Sequence, residues 1–153
     1  MAVDVIGLFG DLVRLETELW NRTEARVQEV HGVPLAWVEI MQVVSSTANC
    51  RVLDITRALS ITVGGASKVV DKVEAAGLCR REPNPADGRS NLLRLTPAGE
   101  ELLDAANVTF ARALATFLGA ALQDHELSQL WAALRRLRDH LALPHQAEMT
   151  VGD

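Results

Sequence analysis

A mainly α-helical fold with one small β-hairpin is what this 153-residue chain predicts, and three observations carry the prediction. Apolar residues recur at helical spacing over both chain ends. Two short helical segments in the middle are separated by a tight break. One extended, turn-rich stretch, residues 78–95, interrupts the helical pattern. With 48% hydrophobic and 23% charged residues, the composition is that of an ordinary globular domain and excludes a disordered or fibrous chain. Cys50 and Cys79 are too few for a disulfide framework and fit a reducing compartment. Asp4 and Asp11 stand where an export signal carries cations, and no apolar run approaches the roughly 18 residues that cross a bilayer. The expectation is a cytoplasmic protein with no membrane partner.

Val5, Leu8, Leu12, Leu15 and Leu19 alternate three- and four-residue spacings, which predicts a first helix with a narrow apolar seam. Leu127, Leu130, Leu134, Leu137 and Leu141 repeat that spacing near the other end. Two such seams exceed what one short chain needs, so a twofold helical bundle between copies is the economical explanation, with filling inside one chain as its rival. Gly32 ends the first helix, and a second follows Pro34 with Trp37, Ile40, Met41 and Val44 on its apolar positions. After the loop-forming run 45–49, Asp54 is placed to cap a short helix containing Ile55 and Leu59. Ser60-Ile61-Thr62 breaks it, a longer helix spans 63–76, and Gly77 stops that one. Two short helices joined by a break are the shape of a helix-turn-helix. Strands over 78–82 and 91–95 flank the turn residues 83–88, with Leu93 and Leu95 on one face and Leu92 and Arg94 on the other. Thr96 caps the next helix, Pro97 opens it, Glu100 and Glu101 suit its dipole, and apolar spacing carries it to about Leu122. The tail, 144–153, reads as flexible.

Charge is unevenly distributed. The net charge is -5, yet between Arg51 and Arg94 eight basic residues face five acidic ones, while the remainder holds seven against fifteen. An acidic body with a locally basic segment meets phosphate in one orientation only. Turning Ala66, Val69, Val70 and Val73 inward leaves Gly64, Lys68, Asp71, Lys72 and Ala75 outward, a small, lysine-bearing face that suits the major groove. Gly64 and Gly65 cost about 1 kcal/mol each relative to alanine. Either bases or phosphate approach the backbone there, or a frayed first turn tolerates them. Arg89 at the hairpin tip could enter the minor groove, with Asp87 holding its guanidinium.

The run Glu74-Ala75-Ala76-Gly77-Leu78-Cys79-Arg80-Arg81, then Asp87-Gly88-Arg89-Ser90, then Leu95-Thr96-Pro97-Ala98-Gly99, resembles the multiple-antibiotic-resistance regulator (MarR) family of winged helix-turn-helix transcription factors over nearly the whole chain. The resemblance implies a homodimer with interlocked terminal helices that reads a pseudo-palindromic double-stranded DNA operator, as a regulator acting by repression. It implies a winged helix-turn-helix region over 34–96 and a helical dimerisation region over 1–33 and 97–143. Thr62, Gly64, Gly65, Ser67, Lys68, Lys72, Arg81, Asp87, Arg89 and Ser90 then face DNA. Val5, Leu8, Leu12, Leu127, Leu130, Leu134 and Leu137 form the dimer contact. The glycine pair departs from relatives that carry polar side chains at the helix start, which shifts weight to DNA shape.

Relatives commonly respond to small aromatic effectors, and Trp20, Trp37, Met41 and Phe110 could line such a crevice, although the same spacing describes plain core. Cys50 and Cys79 read as packing thiols. His31, His125, His140 and His145 show no ligand-pair spacing, so no metal or cofactor is expected, and a metal-responsive regulator would need a site assembled in the tertiary fold. No phosphate loop, nucleophile elbow or metal-hydrolase motif is present, so an enzyme is not expected. The remaining rival is a winged-helix adaptor that binds protein through its helical face.

Overall fold

The computed structural model describes residues 3–142. They form α1 (Val5–His31), α2 (Leu35–Ser46), α3 (Val52–Leu59), α4 (Val63–Ala75), β1 (Cys79–Pro83), β2 (Asn91–Leu95), α5 (Pro97–Gly119) and α6 (Asp124–Ala142). The expected tail, 144–153, lies outside the described residues. Two compact units divide the chain, residues 3–114 and 115–142, with α5 running from the first into the second.

In the first unit, Asp4 caps α1 by accepting from the Ile6 and Gly7 amides at 3.2 and 3.0 Å. Gly32, at φ 69°, closes it. Only Thr23 and Val27 of α1 are buried, so its second half meets the core while Val5, Ile6, Leu8 and Phe9 stay exposed. Helix α2 buries Leu35, Val38, Ile40, Met41, Val43 and Val44 and is the centre of the core. Its own cap, Pro34, offers no side-chain acceptor. Glu24 of α1 supplies one instead, accepting from the Leu35 amide at 2.6 Å.

The start of α3 differs from the expectation. Asp54 is not the N-cap but the third helical residue, and its Oδ2 accepts from the Arg51 amide at 2.9 Å. A carboxylate that reaches back to the residue before a helix gives the same local signal as a cap, displaced by one turn. Ser60, at φ 54°, ends α3, and Thr62 caps α4 by accepting from the Gly65 amide at 3.1 Å. Gly77, at φ 75°, then turns the chain, while the Leu78 amide donates back to the Val73 carbonyl at 3.0 Å.

Strands β1 and β2 pair antiparallel, from Cys79 opposite Leu95 to Pro83 opposite Asn91. Leu92 and Leu93, on opposite faces of β2, are both buried, so this part of the hairpin is covered on both sides. The Leu93 amide donates to the Cys50 carbonyl at 2.8 Å, so the segment before α3 lies along the outer edge of β2, where Leu92 borders a cleft together with Thr47, Asn49 and Arg51. Thr96 joins three elements: its amide donates to the Leu78 carbonyl at 3.1 Å, its hydroxyl donates to the Gly77 carbonyl at 2.6 Å, and that hydroxyl accepts from the Gly99 amide at 3.1 Å. The first half of α5 closes the core through Leu103 and Ala106, with Gln42 donating to Asn107 at 2.6 Å and His31 Nε2 bonded to Thr109 Oγ1 at 2.8 Å.

In the second unit α5 stops at Gly119, short of the expected Leu122, and the Leu118 carbonyl accepts from the Ala121 and Leu122 amides at 3.1 and 3.0 Å in the turn that follows. Glu126 accepts from the Gln123 amide at 2.8 Å to start α6. No described side chain of α6 is buried; Trp131, Leu134 and Leu137 are exposed, and the Arg135 guanidinium sits 5.4 Å from the Trp131 ring centre.

Candidate nucleic-acid interface

Helix α4 turns Ala66, Val70 and Val73 into the core and leaves Gly64, Gly65, Lys68, Asp71, Lys72 and Ala75 exposed, with Ser67 half-buried. A Cβ added at Gly64 would meet nothing within 4 Å, and at Gly65 only the Thr62 Oγ1 at 3.1 Å. Nothing inside the chain requires a bare backbone at Gly64.

The basic middle segment sorts into two groups. Arg51 pairs with Asp54 at 3.5 Å, Arg80 with Glu82 at 2.8 Å, and Arg94 with Glu82 at 3.7 Å. Arg81, on β1, pairs with Asp71 at 2.6 Å and also with Glu74, both on α4. Burial works against the Arg81 charge, but its bonds to these two carboxylates outweigh that and hold the proton more tightly than in water. Arg57, Lys68, Lys72 and Arg89 are exposed and make no ion pair among the described residues. Arg57 has no place among the motif residues; with Ile55 and Thr56 buried beside it, the amphipathic pattern of α3 is the signal that turns it outward.

The wing turn is held by its own side chains. Asp87 does not grip the Arg89 guanidinium as expected; its Oδ1 accepts from the Arg89 amide at 3.0 Å and its Oδ2 from the Ser90 hydroxyl at 3.1 Å. A short aspartate side chain bonds the backbone two residues on more readily than it reaches the end of a long neighbour. Asn84 adds bonds to the Ser90 hydroxyl at 2.9 Å and from the Ala86 amide at 3.0 Å. The turn is therefore fixed while the Arg89 side chain stays uncommitted at its tip.

The geometry is thus a helix-turn-helix followed by a wing, with four cations over α3, α4 and the wing that make no ion pair among the described residues. The profile of the MarR family matches residues 31–90, from the last residue of α1 through the wing. Over that stretch, less than half of the chain, the sequence is similar to the MarR family. Similar solved structures include Sco3205, a MarR family transcriptional regulator from Streptomyces coelicolor in complex with DNA, at 19% identity and TM-score 0.80, covering 100% of this chain and 95% of that one. A mutant MarR from E. coli complexed with operator DNA is 19% identical with TM-score 0.79, covering 88% and 95% of the two chains. The transcriptional regulator BldR from Sulfolobus solfataricus is 18% identical with TM-score 0.81, covering 90% and 96%. At these identities the likeness shows the winged helix fold. No significant match was found among curated protein sequences.

Elsewhere in the chain, Met41 is fully buried, and Trp20, Trp37 and Phe110 are half-buried against the same core. None of the four lines either of two clefts of about 380 Å³ beside the wing, one bordered by Thr47, Asn49, Asp54 and Asn84 and the other by Leu53, Val63, Asp87 and Ser90. Among the described residues no three His, Cys, Asp or Glu side chains gather where a metal could bind, and no single helix is long and apolar enough to cross a membrane. Cys50 and Cys79 are buried, and burial first, then Asp54 for Cys50 and Glu74 for Cys79, pushes both thiols up to about 11. A thiol with so little thiolate at neutral pH is a poor nucleophile. Both cysteines should thus resist iodoacetamide in the folded protein at pH 7 and react in denaturant, as mass spectrometry of the labelled chain would read; rapid labelling of the native protein would contradict the burial.

Proposed function

We propose that the chain is a homodimeric, sequence-specific transcriptional regulator acting by repression. It reads a pseudo-palindromic operator with α4 in the major groove and the wing in the minor groove, works in the cytoplasm, and is released by a small molecule or another signal. One observation carries the reading: in a chain of net charge -5, the cations of the basic segment that have no carboxylate partner among the described residues are Arg57, Lys68, Lys72 and Arg89, all on the helix-turn-helix and wing. Open space at Gly64 favours close approach of backbone to DNA over mere tolerance of a frayed turn. Exposed apolar side chains on the first half of α1 and along α6 support a second copy as partner. A twofold dimer then sets half-sites about 34–36 Å apart along the duplex.

The test is a titration of the protein on the promoter beside its own gene. Arg89→Ala is expected to weaken operator binding by about 1–3 kcal/mol and to lower the salt slope by about one. Lys68→Ala and Lys72→Ala should each lower that slope as well. Unchanged affinity in all three variants would reject the assignment and leave a protein-binding adaptor.

A further inference from the structure

The helix that faces DNA in the reading above carries as many carboxylates as lysines, Asp71 and Glu74 against Lys68 and Lys72. Lys68 and Asp71 are three residues apart, a spacing at which opposite charges on one helix face pair with each other. Such pairing would cancel the positive face, and bare carboxylates beside it would repel phosphate. Neither happens. Both lysines are free of ion pairs among the described residues, and both carboxylates turn to the opposite element, where Arg81 of β1 takes them. The contact is directional: one guanidinium nitrogen donates to Asp71 at 2.6 Å, the other to Glu74, and the Arg81 amide donates to the remaining Glu74 oxygen at 2.9 Å. The Arg81 side chain is only 26% exposed, whereas Asp71 is 63% exposed and so lies open to an approaching duplex.

We propose that Arg81 is a positioning residue for DNA recognition: by engaging Asp71 and Glu74 it withholds both carboxylates from the lysines and from phosphate, without contacting DNA itself. The proposal rests on the DNA-binding reading and assigns Arg81 a different part from a residue that touches the operator. It also differs from a simple tether between wing and helix, because neutralising Asp71 and Glu74 would break a tether and weaken binding, whereas it leaves nothing to withhold.

A double-mutant cycle on the full chain and its promoter fragment separates these roles. Arg81→Met is expected to weaken binding about tenfold in the otherwise native protein. In the Asp71→Asn, Glu74→Gln background the same substitution should change affinity by less than about twofold, since no negative charge is left to withhold. An equal loss in both backgrounds would overturn the proposal in favour of direct contact, and weaker binding by the Asp71→Asn, Glu74→Gln variant itself than by the native chain would overturn it in favour of a tether. If Arg81→Met fails to fold by circular dichroism, Arg81→Gln is measured in both backgrounds and judged by the same comparison. Binding by the native chain with no coupling in the cycle defeats this inference alone, whereas absence of binding by the native chain to any fragment defeats the DNA-binding reading and this inference with it.

Discussion

Replacing Gly99 by alanine is expected to destabilise the fold by about 3 kcal/mol, against the usual gain of about 1 kcal/mol for that exchange in a helix. A Cβ on Gly99 would stand 1.9 Å from the Leu78 carbonyl oxygen and 2.9 Å from its carbon. Both obstacles are backbone, and neither can step aside. The Leu78 carbonyl already accepts from the Thr96 amide, and the Gly99 amide already donates to the Thr96 hydroxyl. Relief would have to separate the start of α5 from the end of α4, breaking the joint between them. Steric overlap therefore outweighs helix propensity, and the melting midpoint should fall by roughly 6–12 °C. Gly64→Ala is the matched control, because its Cβ meets nothing within 4 Å. That variant should melt no lower than the native protein. Equal stability of the two variants in urea titrations would show that the crowding at Leu78 is relieved without cost.

A charge placed on either terminal seam is expected to separate the two copies of the proposed dimer. Leu8 and Leu134 are 49% and 41% exposed in the single chain, so Leu8→Glu or Leu134→Glu should leave protomer folding almost unchanged, as surface substitutions within about 0.5 kcal/mol do. In a dimer that covers these seams, the same glutamate would be buried without a partner, at several kcal/mol. Sedimentation at micromolar concentration should then give a single-chain mass, and operator affinity should drop by roughly 10²–10⁴-fold as one of two linked half-site contacts is lost. A native protein that sediments as one chain, or variants that still sediment as two, would remove the seams from the interface.

Legibility in the sequence followed the range of the interactions. Where a single residue both starts or stops an element and does so through its own backbone, the reading held to within a residue or two: Gly32 and Pro34 between α1 and α2, Thr62 and Gly77 around α4, Thr96 and Pro97 before α5. Near neighbours already caused displacement. Asp54 has the chemistry of a cap but serves the amide three residues behind it, and Asp87 bonds the Arg89 amide in place of its guanidinium. What periodicity could not show at all was covering by distant chain. Residues near Cys50, some forty positions earlier, run beside β2, where Leu92 and Leu93 are both buried, and no local pattern contains that neighbour. In the candidate site, the lysines and Arg89 stood out by type and place, whereas the engagement of Arg81 by α4 depends on a contact folded across the turn at Gly77, and the outward position of Arg57 depends on which side of α3 meets the core.

The acceptor that α1 lends to α2 bears on how the protein can be divided. Because the first amide of α2 is satisfied by Glu24, and Thr23 and Val27 fill the core beside it, the winged segment is not a detachable module that begins at Pro34. Any fragment cut to isolate it must carry the latter half of α1 as well, so the smallest self-sufficient winged fragment of this chain starts upstream of the region that holds every residue proposed to face DNA.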